Sequence, residues 1–225
     1  MPIRSLLFPL ILGIAGCAVL ISLGVWQLRR LEWKGGVLAE IEARIAAAPV
    51  SLPANPDPEE DRYVPVSVTG RTTGDELLAL VSTRSDGAGY RLISAFQTDG
   101  GRRIMVDEGF IRLDEKDVTR PTAALTVTGN LHWPDETDGF TPDPDLANRL
   151  IFARDVGVMA RILGTEPVLV VARDVDPPGR AAPIPVGTEG IPNDHLGYAI
   201  QWFGLALVWA GMTLFLLWRI RNRTN

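Results

Sequence analysis

Residues 6–28 contain no charged side chain, and residues 195–218 contain none apart from His195. At 1.5 Å of rise per residue, about 20 apolar residues cross the hydrocarbon core of a bilayer, so each run predicts a transmembrane helix. Leu6-Leu7-Phe8-Pro9-Leu10-Ile11-Leu12 leads the first run, which passes through a Gly- and Ala-containing stretch to Leu23-Gly24-Val25-Trp26. Trp26 and Trp218 stand where aromatic residues gather at a membrane interface. A cleavable leader turns polar soon after its apolar core, whereas this run continues to Val25. Ile14-Ala15-Gly16-Cys17 resembles a lipobox. Eight further apolar or small residues follow Cys17, where a lipoprotein turns polar, and the first span is read as retained.

With two spans removed, the 225-residue chain leaves material for one ordinary globular core. The expected fold is therefore a membrane α-helical hairpin of two transmembrane helices plus one β-rich α+β extracytoplasmic domain. Its segments read as a cytoplasmic tail (1–5), a first span (6–28), a helical extension (29–48), a β-rich domain (49–175), a Pro/Gly-rich strap (176–194), a second span (195–218) and a second tail (219–225). Residues 35–197 carry 15 Lys and Arg against 26 Asp and Glu, an acidic balance that argues against a nucleic-acid partner. The positive-inside count is even: Arg4, Arg219, Arg221 and Arg223 on one side, and Arg29, Arg30, Lys34 and Arg44 on the other. Charges flanking a long exported domain count for less, which favours cytoplasmic termini.

Val37 to Ala48 has strong helix formers and predicts an amphipathic extension of the first span beyond a break at Gly35-Gly36. Pro49, Pro53, Pro56 and Pro58 end it. Val64, Val66 and Val68, then Leu125 and Val127, alternate with other residues in the period of half-buried strands. Leu77–Val81, Tyr90–Phe96, Arg103–Asp107 and Val168–Val171 add short apolar segments. Asp99-Gly100-Gly101 reads as a hairpin turn, and about Val156 to Leu163 as one short helix. The strap should be extended and poorly packed, with Asn193 and Asp194 capping the second span.

Enzymatic constellations are thin. No nucleophile elbow, Walker loop or dinucleotide fingerprint occurs, and two histidines with one cysteine cannot assemble a zinc site from soft ligands alone. The carboxylates read as solvated surface. His195 differs because of its neighbours: at about 100° per residue, Tyr198, Trp202 and Trp209 fall within roughly 60° of it on one side, with a gap at Ala206. Trp209 lies about 21 Å below His195, too deep for an interfacial belt, and calls for a protein partner or a large apolar ligand. For His195 two readings stand, a capping or headgroup contact and ligation of a metal or haem. Gly197, Gly204 and Gly211 recur on the opposite face, where small residues allow another helix close approach. Trp26, Arg29, Arg30 and Trp33 share one face of the first helix. They suit either anionic lipid headgroups or a carboxylate-bearing ligand such as haem propionates.

Residues 23–34, Leu-Gly-Val-Trp-Gln-Leu-Arg-Arg-Leu-Glu-Trp-Lys, resemble the first signature block of the Surfeit locus protein family of cytochrome c oxidase assembly factors. Residues 193–206, Asn-Asp-His-Leu-Gly-Tyr-Ala-Ile-Gln-Trp-Phe-Gly-Leu-Ala, resemble the last. Gly89-Tyr90-Arg91-Leu92 with Phe96 and Phe152-Ala153-Arg154-Asp155 are similar to interior elements of the family. Gly109-Phe110-Ile111 follows Asp107-Glu108 where the family has Asn-Arg. The resemblance implies a two-pass protein of the bacterial inner membrane with its main domain periplasmic. It implies a non-enzymatic role in haem a insertion into the oxidase large subunit, with that subunit, the haem a synthase and membrane lipid as partners. It further implies haem a ligation by His195, with the propionates met by Arg29 or Arg30 and the apolar tail lying between Trp202 and Trp209 over the gap at Ala206. Trp26 and Tyr198 would complete that site. The rival readings are a scaffold that holds the immature subunit through the glycine face without touching haem, and a membrane-tethered enzyme with catalytic groups in the β-rich domain.

Overall fold

A computed structural model describes residues 4–178 and 180–222; Arg223 lies outside the described residues. The chain divides into a helical unit, residues 1–40 with 188–225, and a β unit, residues 41–187.

In the helical unit, α1 (Arg4–Ile45) and α3 (His195–Asn222) are both long and apolar enough to cross a membrane. The break expected at Gly35-Gly36 does not occur, and α1 runs through both glycines. Strong helix formers on either side explain this. A glycine costs about 1 kcal/mol relative to alanine in a helix, less than opening a whole turn of backbone hydrogen bonds.

The two helices pack antiparallel through small residues. A Cβ added at Gly13 would lie 2.2 Å from the Thr213 side chain, one at Gly16 2.2 Å from the Trp209 indole, and one at Gly24 2.7 Å from the Phe203 ring. Ala199 and Ala206 are buried on the opposing face. Lipid is as apolar as leucine, so close approach and interhelical hydrogen bonds are what hold such a pair. The Trp209 Nε1 donates to the Gly13 carbonyl at 3.1 Å, and the Cys17 thiol meets the Ala206 carbonyl at 3.8 Å.

The β unit is a closed barrel. Its strands are β1 (Val50–Ser51), β2 (Pro65–Thr83), β3 (Gly87–Thr98), β4 (Arg103–Arg112), β5 (Ala124–Leu131), β6 (Leu150–Ile151) and β7 (Leu169–Asp176). The order β2-β3-β4-β7-β5 returns to β2, so five strands close the ring, with β1 and β6 added to β2. The 19-residue β2 changes register between Thr72 and Glu76 and pairs with β5 through its first half. Only β4 and β7 are parallel within the ring, which requires a crossover. That crossover carries α2 (Val156–Leu163), whose Val156, Met159, Ala160 and Leu163 join a core around Phe96, Met105, Val127 and Leu169. Asp155 caps α2 by accepting from the Val158 N–H at 2.8 Å. The turn at Asp99-Gly100-Gly101 joins β3 to β4 as expected, with the Thr98 N–H donating to the Arg102 carbonyl.

Two expectations need correction here. The strap is packed where it passes β4: Phe110 and Ala182 exchange backbone hydrogen bonds of 2.6 and 2.9 Å. It supplies partners for a strand edge that β7 leaves open. The carboxylates are not all surface: Asp107 and Glu108 are 0 % and 1 % exposed, and Glu76 is buried too. Their burial is possible because arginines from distant parts of the chain meet each one, as buried charge requires.

Candidate functional site

His195, the best candidate in the sequence, opens the first turn of α3 and is half-buried. Its Nδ1 lies 2.7 Å from Oε1 of Gln27, which projects from the small-residue face of α1 and is 8 % exposed. Just outside them, the Lys34 ammonium donates to the Pro192 carbonyl and ties the entry of α3 to α1. Among the described residues neither Asn193 nor Asp194 makes the expected side-chain cap: the Asn193 side-chain oxygen has no partner, and the Asp194 carbonyl simply accepts the first bond of the helix from the Tyr198 N–H at 3.3 Å.

The remaining candidates divide by flank. Measured from Gln27 at about 100° per residue, Arg30 lies about 60° and Trp26 about 100° to one side of the α1–α3 interface; Arg29 points almost directly away from α3. From His195, Tyr198, Trp202 and Trp209 turn in the corresponding sense. In an antiparallel pair these senses coincide on one flank, as the contacts of Trp209 with Gly16, and of Phe203 with Gly24 on the other flank, require. One flank of the helix pair therefore carries Arg30, Trp26, Tyr198, Trp202 and Trp209 beside His195. The Arg30 guanidinium is stacked 4.5 Å above the Trp33 ring, which limits its rotamers. Below Trp209 the same flank holds an apolar groove of about 320 Å³ lined by Leu12, Trp209, Met212, Phe215 and Leu216.

Ala206 is buried against α1, where the Cys17 thiol meets its carbonyl, so the gap expected there faces the neighbouring helix. Trp209 packs on α1 at Gly13 and Gly16 and keeps 37 % of its surface exposed on the flank. Gly197, Gly204 and Gly211 lie away from the α1–α3 contact, on the face the sequence reading gave them, and a Cβ at any of them would meet nothing within 4 Å. Gln27 was missed altogether. Its signal was a single amide on a helix face otherwise made of small and apolar residues, among them Gly13, Gly16 and Gly24.

The β unit offers a second polar constellation. Asp107 accepts from Arg91 at 2.8 Å and from Arg154 at 3.1 Å, and Arg154 also binds Glu136. Glu108, the extra residue where the β3–β4 register shifts, accepts from Ser94 and from Arg180 at 2.7 Å. Glu76 meets Arg120 at 3.2 Å and also Arg149. Burial alone would raise the Glu136 carboxyl, but the hydrogen bonds and charge of Arg154 outweigh it and hold the pKa below the usual range. Burial pushes the His132 imidazole down to about 4, and the Arg154 and Arg62 charges act in the same direction. These groups neutralise one another within the domain. A groove of about 810 Å³ lies alongside, lined by Asp86, Phe110, Arg112, Asp114 and Arg180 among others.

Chemically, the end of the helix pair at His195 presents an imidazole with one ring nitrogen engaged, a stacked guanidinium and a run of aromatic side chains. Those parts suit a large, flat, partly apolar ligand with anionic groups. Among the described residues, no group of three or more His, Cys, Asp or Glu could hold a metal ion by itself. A metal held within an organic ligand needs only the one imidazole.

Comparison with known proteins places this geometry in context. The model of the SURF1 family matches residues 14–207. Surfeit locus protein 1 of Homo sapiens is 30 % identical over 213 residues, covering 82 % of this chain and 69 % of that protein. The SURF1-like protein of Drosophila melanogaster is 28 % identical over 216 residues, covering 84 % and 71 %. The SURF1-like protein of Rickettsia bellii (strain RML369-C), a bacterial relative, is 28 % identical over 221 residues, covering 92 % and 87 %.

Proposed function

Because the chain belongs to the SURF1 family, whose members assist cytochrome oxidase assembly, we propose that it promotes haem a insertion into the oxidase large subunit by holding haem a at the outer ends of α1 and α3. The observation that carries this reading is the His195–Gln27 contact, set on the flank that also bears Arg30 and the aromatic run. With Nδ1 engaged, the imidazole Nε2 is directed to the ligand side as the iron donor. Arg30, pre-ordered by Trp33, meets the propionates; Arg29 lies on the far side and serves lipid headgroups instead. Trp26, Tyr198, Trp202 and Trp209 line the path of the apolar tail along the flank, outside the buried Ala206. Haem a would be held by an imidazole–iron bond that forms on binding and breaks at handover, and no bond within the haem or the chain would change.

This function sets the topology. Residues 6–28 and 195–218 cross the inner membrane with the tails 1–5 and 219–225 cytoplasmic, and the domain 49–175 with its flanking segments is periplasmic. A haem released by a membrane-bound synthase and delivered to a membrane-embedded subunit then stays at one depth throughout. Purification of the His195→Ala chain from haem-a-producing cells tests the reading, because co-purifying haem a should fall to background. Unchanged occupancy would remove the ligand assignment.

A scaffold reading is favoured by one observation, the open face of Gly197, Gly204 and Gly211. Small residues repeated on a lipid-facing surface allow a helix of the immature subunit to approach closely. The two readings combine if the glycine face docks the recipient while the opposite side holds the haem. Isoleucine at Gly204 should then reduce co-purification of the large subunit and leave haem a occupancy intact.

A further inference from the structure

We propose that Gln27 is a positioning residue that sets the tautomer and ring orientation of His195, an inference that rests on the haem-binding reading above. A glutamine is an unexpected choice for its site. The face of α1 that meets α3 is otherwise made of small and apolar residues, Gly13, Gly16, Cys17, Leu20, Leu23 and Gly24, and a buried amide in an apolar helix pair is costly unless it is bonded. Its Oε1 spends that capacity on one group, the Nδ1 of His195 at 2.7 Å. Among the described residues no hydrogen bond is made by the other ring nitrogen, Nε2.

An amide oxygen is an acceptor only, so the His195 nitrogen facing it carries the proton. With Nδ1 as the donor to Gln27, Nε2 is the ring nitrogen left to offer a lone pair. Without Gln27 the ring would divide between two tautomers and several rotamers, and only part of the population would offer a donor in the right place. Metal-bound histidines are commonly held in this way through their second nitrogen. Loss of such an outer partner costs about tenfold to a hundredfold in affinity. The contact also joins the two signature segments of the chain, which lie 168 residues apart.

The experiment uses the full chain in detergent micelles, with ferric protoporphyrin IX as the probe and Gln27→Leu, Gln27→Glu and His195→Ala as variants. Nitrogen-15 shifts of the His195 ring in the haem-free protein should show the Nδ1–H form in the wild type and a mixture in Gln27→Leu. Haem affinity should fall about tenfold to a hundredfold in Gln27→Leu and recover in Gln27→Glu. The bound haem of Gln27→Glu should have a lower reduction potential than wild type, because a carboxylate makes the imidazole a stronger donor. A merely structural role for Gln27 would not move that potential. An Nε2–H ring in the wild type, or a Gln27→Leu chain with unchanged tautomer and affinity, overturns the proposal. If Gln27→Leu fails to fold, Gln27→Glu decides alone: it must keep the Nδ1–H form. The two inferences fail separately. Loss of binding in His195→Ala beside an unaffected Gln27→Leu overturns only the positioning role, whereas unchanged binding in His195→Ala overturns both.

Discussion

The indole Nε1 of Trp209 donates to the backbone carbonyl of Gly13 at 3.1 Å, across the interface between the two apolar helices. The contact is possible because Gly16, one turn along α1, has no side chain where the indole passes. Leucine at Gly16 should push the helices apart, and unfolding of the chain in bicelles should show a loss of about 2 kcal/mol or more. Phenylalanine at Trp209 keeps one aromatic ring but removes the donor and the rest of the indole that packs on Gly16, and should cost about 1–3 kcal/mol. Equal stabilities for Gly16→Leu and the wild type would contradict this packing.

Asp107 is fully buried between Arg91 and Arg154. Leucine at 107 leaves the largely buried Arg91 without a carboxylate and Arg154 with Glu136 alone, and should destabilise the β unit by about 3–5 kcal/mol in denaturant titrations. Replacing both arginines by methionine in the same chain should restore much of that loss. Glu136 stays partly solvated and tolerates losing Arg154. If the triple variant is no better than Asp107→Leu alone, the cost lies in the backbone and not in stranded charge.

The pH dependence of stability has two windows. His132 has a folded pKa lowered from 6.5 to about 4, so the unfolded chain binds more protons between those values. Its contribution, roughly 3 kcal/mol at most, is present above pH 6.5 and is lost as pH falls towards 4. Glu136 also has a lowered pKa, and what it adds is present above its unfolded value of 4.5 and lost only below it. Phenylalanine at His132 should therefore flatten the stability profile between about pH 6.5 and 4.5 while leaving the steeper acid limb. A profile unchanged in that window would show that His132 is not the group responsible.

Gly109 has a φ of 117°, and a Cβ there would lie 2.0 Å from the Ala182 carbonyl. Alanine at 109 should detach the strap from β4, breaking the paired hydrogen bonds between Phe110 and Ala182. Limited proteolysis should then cut near residues 177–186 at least tenfold faster, corresponding to the roughly 1.4 kcal/mol that one strained residue of this kind costs. Protection equal to wild type would mean that the strap is held elsewhere.

Much of the architecture was legible because it rests on local patterns. Uncharged runs mark the spans, alternation at Val64–Val68 and Leu125–Val127 marks strands, and Val156–Leu163 has helical spacing. The strap and the buried acids were misjudged because their partners are remote. Nothing near Asp107 in the chain indicates that Arg154 will neutralise it, and nothing near Ala182 indicates that β4 has an open edge. The continuous helix through Gly35-Gly36 is a milder case, in which cooperativity across neighbouring turns outweighed a local propensity.

The sequence by itself determined that the protein has two apolar segments long enough to cross a membrane around one β-rich domain, and that His195 and the basic cluster stand at the ends of those segments that adjoin the domain in the chain. Hydrophobic length and side-chain period act over neighbouring residues, so they can be read directly. The tertiary structure alone decided which faces meet. It turned the His195 face towards α1, set Ala206 against Cys17, separated Arg30 from Arg29 and brought Gln27 to the imidazole. Helix pairing depends on complementary shape between surfaces distant in the chain, and one helix read alone does not specify which of its faces will find a match.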